Sequence, residues 1–169
     1  MQTAADRTAR RWGRLALLCL ALLPAARPAA GSIPYAPTLA HCYDAILDAR
    51  FADAEAEIAK ACGPAPPETC ALMRATSLWW QIQLNPYDRS KDAAFRSQID
   101  GVIASIERWT ARQPNRADAW FFLGAAYGLR VQFLVLRTER LAAARDGKRI
   151  KDALERSIAL DQTLQDAYF

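Results

Sequence analysis

From about residue 38 onward, apolar residues recur with helical rather than alternating period. Leu39, Tyr43, Ile46 and Leu47 fall at i, i+4, i+7 and i+8, which predicts a helix over 38–50. Ala54, Ile58 and Ala61 mark the inner stripe of a second helix, 51–62, and Gly63-Pro64 stops it. Pro67 and Glu68 suit the first turn of a third helix, where a missing N–H costs little and a carboxylate meets the positive end of the dipole. That helix should run to Asn85-Pro86, with Leu72, Ala75, Thr76, Trp79 and Gln83 on one face. Ser90 is a candidate cap for a fourth helix ending at Gln113-Pro114, whose stripe Phe95, Ile99, Val102, Ile106 and Trp109 is the cleanest in the chain. A fifth helix is predicted from about 117 to 145, with Asp146-Gly147 as its break, and a sixth over 148–160. No segment carries the period-two pattern or the turn signals of a hairpin, so the expected class is all-α with about six helices.

A four-residue echo organises these helices. Asp118-Ala119-Trp120-Phe121 returns 48 residues later as Asp166-Ala167-Tyr168-Phe169. At the same offset Leu72 falls on Trp120, Ala75 on Leu123, Thr76 on Gly124 and Trp79 on Tyr127. Ile106-Glu107-Arg108 falls on Leu154-Glu155-Arg156. A shared offset of this kind predicts helix-pair units, each leaving an apolar face for the next to cover. The units expected are 38–64, 68–115 and 116–163, with 164–169 as the start of a further one. This makes the fold an α-solenoid of antiparallel helix pairs spanning 32–169.

The first 31 residues follow a different pattern. Arg7, Arg10, Arg11 and Arg14 precede a 12-residue apolar run, Leu15 to Ala26, and small residues Ala29, Ala30 and Gly31 follow. That order is the one of a secretory signal peptide, here 1–31. Twelve helical residues rise about 18 Å, short of the roughly 30 Å hydrocarbon core. Export, to a periplasm or outside the cell, is therefore expected. The leader also accounts for the charge. It holds five Arg and one Asp of the chain's 22 basic and 18 acidic residues, which leaves 17 of each. Charge-driven nucleic-acid binding is excluded for a neutral remainder.

Ala119-Trp120-Phe121-Phe122-Leu123-Gly124-Ala125-Ala126-Tyr127 resembles the first helix of a tetratricopeptide repeat: Trp, then Leu-Gly, then Tyr. Ala153, Leu154, Ile158 and Ala159, followed by Leu160-Asp161, are similar to that family's second helix and closing turn. Two departures stand out. Gln162 occupies the place where the family usually has Pro, and the 48-residue units exceed its 34. The resemblance covers about residues 68–169. It implies a scaffold that binds an extended peptide or a partner helix along a concave groove, with no chemistry of its own. In that register Met73, Ser77 and Trp80, then Phe121, Ala125 and Leu129, face the groove. Trp80 and Phe121 are the candidate anchors.

Other constellations carry less. Cys42, Cys62 and Cys70 follow the leader, an odd number for an oxidising compartment. Cys62 and Cys70 flank a Pro-rich loop that a bridge would staple. Cys42–Cys62 is an alternative pairing, and three buried thiols a second. His41, the single histidine, lacks the paired Cys-x-x-Cys spacing of a zinc site. No phosphate loop, nucleophile elbow or metal motif occurs, so neither an enzyme nor a cofactor is expected. Arg137, Arg140, Arg145, Lys148, Arg149 and Lys151 form a basic cluster. Its members Arg137, Arg140, Lys148 and Arg149 are candidates for an anionic lipid or cell-wall polymer. Any such membrane contact would be peripheral. The expected partner is otherwise a protein or peptide in the envelope.

Overall fold

The computed structural model describes Ile33 and residues 35–168; the proposed leader and Phe169 lie outside them. Among the described residues there are six α-helices and no strand. They are α1 (Ala36–Leu47), α2 (Phe51–Ala61), α3 (Pro67–Leu84), α4 (Asp92–Arg112), α5 (Ala117–Leu136) and α6 (Arg140–Leu160). A short 3-10 turn, Gln165–Tyr168, follows α6.

The stops act where the residues place them. Pro67 is the first residue of α3, and Glu68 in that first turn accepts a hydrogen bond from Arg112 at 3.0 Å. Asn85-Pro86 ends α3 after Leu84, and Gln113-Pro114 ends α4 after Arg112. Ser90 does not cap α4. Its hydroxyl and N–H both donate to Asp88, at 2.9 and 2.8 Å, so the loop is closed by Asp88 and the helix opens two residues later.

The expected break at Asp146-Gly147 is wrong. Both residues lie inside α6, and the turn between α5 and α6 is Arg137-Thr138-Glu139. Asp146 stays helical because two guanidinium groups hold its carboxylate, as described below. Gly147 costs a helix only about 1 kcal/mol relative to Ala, too little to stop one packed over its whole length. The real stop is a Schellman turn. Glu139 N–H donates to Leu134 O at 2.8 Å and Thr138 N–H to Val135 O at 3.0 Å, with Thr138 at φ 62°. Ala49, at φ 57°, ends α1 in the same way, with Arg50 N–H bonded to Ala45 O. With the turn so placed, α4 and α6 are both 21 residues long and begin 48 positions apart.

Each helix packs on its successor, and in addition α1 touches α3 and α3 touches α5. Two aromatic groups tie these contacts. Phe95 of α4 sits 4.7 Å from Phe133 of α5 and 5.9 Å from Trp79 of α3, ring centre to ring centre. Phe122 of α5 lies between Trp109 of α4 and Tyr35, at 6.4 and 6.1 Å. Phe95 and Phe133 are fully buried, each worth about 2–3 kcal/mol of apolar burial. Tyr35 also donates to Asp118 at 2.8 Å, which fixes the start of α1 beside the start of α5. Helix α5 is apolar enough in length and composition to cross a membrane, but half of that stretch is buried by its neighbours.

Candidate functional site

Two of the recesses along α5 differ in chemistry. The first is a groove of about 350 Å³. Its walls come from Tyr43 of α1, Leu72 and Thr76 of α3, and Phe121, Ala125 and Leu129 of α5. Ile150 and Leu154 of α6 close it from behind. The floor exists because α5 is thin here. At Gly124 an added Cβ would lie 2.8 Å from Leu154 Cδ2, so glycine is what lets α6 approach. At Gly128, one turn on, an added Cβ would meet nothing within 4 Å, since that position faces the open groove. No ionisable group other than the Tyr43 phenol lines it; its polar edge is the hydroxyls of Tyr43 and Thr76 and the amide of Gln132. The Thr76 hydroxyl is occupied, donating to Leu72 O at 3.0 Å. Such a surface can hold apolar side chains and little else.

The structure brings Phe121, Ala125 and Leu129 together in this groove, but not Met73, Ser77 or Trp80. Met73 and Ser77 are buried, and Trp80 is half-buried against the core. The reason is the position of α3, which touches α1, α2, α4 and α5 and so has little free face. Leu72 and Thr76, assigned by period to the packing stripe, are the α3 residues that reach the groove. The pattern Gly124-x-x-x-Gly128, two glycines on one helical face, was the signal in the sequence for an open floor.

The second recess, about 340 Å³, is charged. At its base Arg130 of α5 clasps Asp146 of α6 with two hydrogen bonds, 2.7 and 2.9 Å. Its remaining nitrogen reaches Asp100 of α4 at 2.7 Å. Arg149 donates to the same Asp146 carboxylate at 3.0 Å. Both guanidinium groups lie over the Tyr127 ring, 5.3 and 5.4 Å from its centre. The Tyr127 hydroxyl donates to Glu107, and burial together with that bond pushes its pKa up to about 12. Higher in the recess Arg96 pairs with Glu139 and holds that carboxyl below its ordinary range. Apart from Arg145 at its edge, the charges here answer one another and knit α4, α5 and α6.

This internal pairing takes up much of the basic cluster. Arg137 is buried, donating to Pro86 O at 2.6 Å and to Asp92 at 2.7 Å. Lys148 pairs with Asp152, Lys151 with Glu155 and Arg149 with Asp146. Arg140 and Arg145 are exposed and make no salt bridge with any described residue. The Cys62 and Cys70 sulfurs are at disulfide distance, with Cα atoms 5.8 Å apart, and Cys42 is a buried thiol. His41 is exposed on α1. Among the described residues no group of His, Cys, Asp or Glu side chains is placed to hold a metal ion. No protein-family model matches the chain, and neither does any curated protein or solved structure.

Proposed function

We propose that the chain is an exported, tetratricopeptide-like α-solenoid scaffold that binds an apolar protein segment in the α1–α3–α5 groove. It does so by surface complementarity, without chemistry of its own. The observation that carries this reading is the groove itself: an uncharged furrow walled by the first helix of each pair, with a glycine floor at Gly128. The contact of α1 with α3 and of α3 with α5 supports stacked helix pairs. So do the equal lengths and 48-residue offset of α4 and α6. The Cys62–Cys70 pair supports an oxidising compartment, periplasmic or extracellular.

Gly128→Leu tests the reading, because it fills the groove from a position where an added Cβ meets nothing within 4 Å. Peptides selected from a random display library on the wild-type chain are expected to carry apolar anchors and to stay bound in moderate salt. They should be lost from Gly128→Leu while its helical circular dichroism is unchanged. Equal binding to the variant would sink the proposal.

A further inference from the structure

A separate surface lies at one end of the helix stack, where the α3–α4 and α5–α6 turns come together. Arg137 joins the two turns through Pro86 O and Asp92, and Arg96 joins them again through Glu139. On this joined end four large apolar side chains stand in solvent: Leu84 (65% exposed), Tyr87 (93%), Val135 (59%) and Leu141 (67%). The three carboxylates of the two turns are all engaged, Asp88 with Ser90, Asp92 with Arg137 and Glu139 with Arg96. Asp88 is held below the ordinary carboxyl range by its bonds to Ser90. Around them Arg89, Lys91, Arg140 and Arg145 make no salt bridge with any described residue, although Lys91 lies near enough to Asp88 to help lower its pKa. The opposite end differs. There Arg112 and Arg116 pair with Glu68 and Asp118, Asp161 is acidic and bonded to Thr163, and Tyr168, 57% exposed, is the large apolar side chain that stands in solvent.

Apolar tips ringed by uncommitted cations match one kind of partner. Leucine, valine and tyrosine gain by entering the interface between headgroups and acyl chains, while each nearby cation gains from anionic headgroups. An acidic protein would use the cations but leave Tyr87 and Leu141 wet; an apolar protein surface would strand the cations. We propose that the α3–α4/α5–α6 end is a peripheral docking surface for an anionic lipid bilayer, with Tyr87 and Leu141 entering the headgroup layer. This is independent of the groove, which opens on the side of the stack between α1 and α5.

The test reads position rather than bulk binding, because the apolar Leu15–Ala26 run can itself associate with lipid. In a Cys19→Ser background of the full chain, Leu141→Cys and, separately, Tyr168→Cys are labelled with an environment-sensitive fluorophore under native conditions, which leave the buried Cys42 unlabelled. With vesicles containing phosphatidylglycerol, the probe at position 141 should shift to the blue and be quenched by brominated acyl chains. The probe at 168 should do neither, and pure phosphatidylcholine vesicles should move neither. Adding Arg89→Glu and Arg140→Glu to the 141-labelled chain should raise the lipid concentration for half-maximal shift at least about tenfold. A silent probe at 141, an equal response at 168, or indifference to the charge reversals would each overturn the proposal. A 141 probe that responds to a soluble polyanion but not to vesicles would reassign the surface to an acidic macromolecule.

Discussion

The two flanks of α5 use the same helix for opposite ends. On one, Tyr127 and Arg130 enter a charged seam with α4 and α6, where acids and guanidinium groups are matched at 2.7–3.0 Å. On the other, Gly124, Ala125 and Gly128 give the groove a flat, uncharged floor. Charge is abundant in this protein, yet much of the charge near α5 is consumed in holding helices together. The groove beside it carries no charge. That difference moves the functional reading away from the basic cluster as a whole and toward the groove and the exposed turn end.

The seam should respond far more strongly to mutation than the groove. Asp146 is buried and answers two guanidinium groups, so Asp146→Ala strands Arg130 with only the exposed Asp100. The expected loss is about 3 kcal/mol in denaturant unfolding, since removing one member of a buried pair leaves an uncompensated charge. The double change Asp146→Leu/Arg130→Met should recover much of it. If Asp146→Ala unfolds at the wild-type midpoint, the seam is decoration and the contrast between the two flanks disappears.

Alkaline pH probes the same flank without loss of a carboxylate. Burial and the bond to Glu107 push the Tyr127 pKa up to about 12, from an ordinary value of 10.0. The folded state therefore retains a proton that the unfolded chain releases, and the resulting stability is whole below pH 10. It declines as pH rises from 10 to 12, by about 2.7 kcal/mol in full. Tyr35 is shifted upward too, by burial and its bond to Asp118, so the informative quantity is the difference between wild type and Tyr127→Phe. The variant should show a shallower fall in stability across that window. The same slope in both would mean that Tyr127 ionises freely.

Much of the architecture was legible because prolines and apolar stripes act locally. Pro67, Pro86 and Pro114 mark helix ends whatever the rest of the chain does, and the stripe Phe95 to Trp109 is buried as its period requires. The α5–α6 turn was not legible by the usual signal, since glycine is the residue expected at a left-handed helix end and Thr138 occupies it. Gly147 drew the break instead, although its carbon-free face merely points to solvent. The groove was half legible. Phe121 and Leu129 followed from the resemblance, whereas Leu72 and Thr76 depended on how α3 is rotated among four neighbours, a tertiary fact. Thr138→Gly should relieve a β-branched residue at positive φ and stabilise the protein by about 1 kcal/mol. A loss of stability would show that Thr138 is doing something there beyond tolerating the turn.

The finest test of the contrast compares two identical substitutions one turn apart. Gly124→Ala and Gly128→Ala each gain about 1 kcal/mol of helix propensity, so the intrinsic term is common to both. They differ in what the new methyl meets. At 128 it enters the open groove and touches nothing, so the gain should survive as a rise in unfolding midpoint. At 124 it falls 2.8 Å from Leu154 Cδ2 and 3.0 Å from Cγ, which forces α6 or the Leu154 rotamer to give way. Overpacking of that kind costs about 1–3 kcal/mol, enough to cancel the propensity gain and leave a net loss of about 1 kcal/mol. Opposite signs at the two positions would locate the closed and open parts of α5 by thermodynamics alone. Two gains would mean that α6 is not held against Gly124. Two losses would mean that the groove floor at Gly128 is already covered by the protein itself, and the proposed binding surface would go with it.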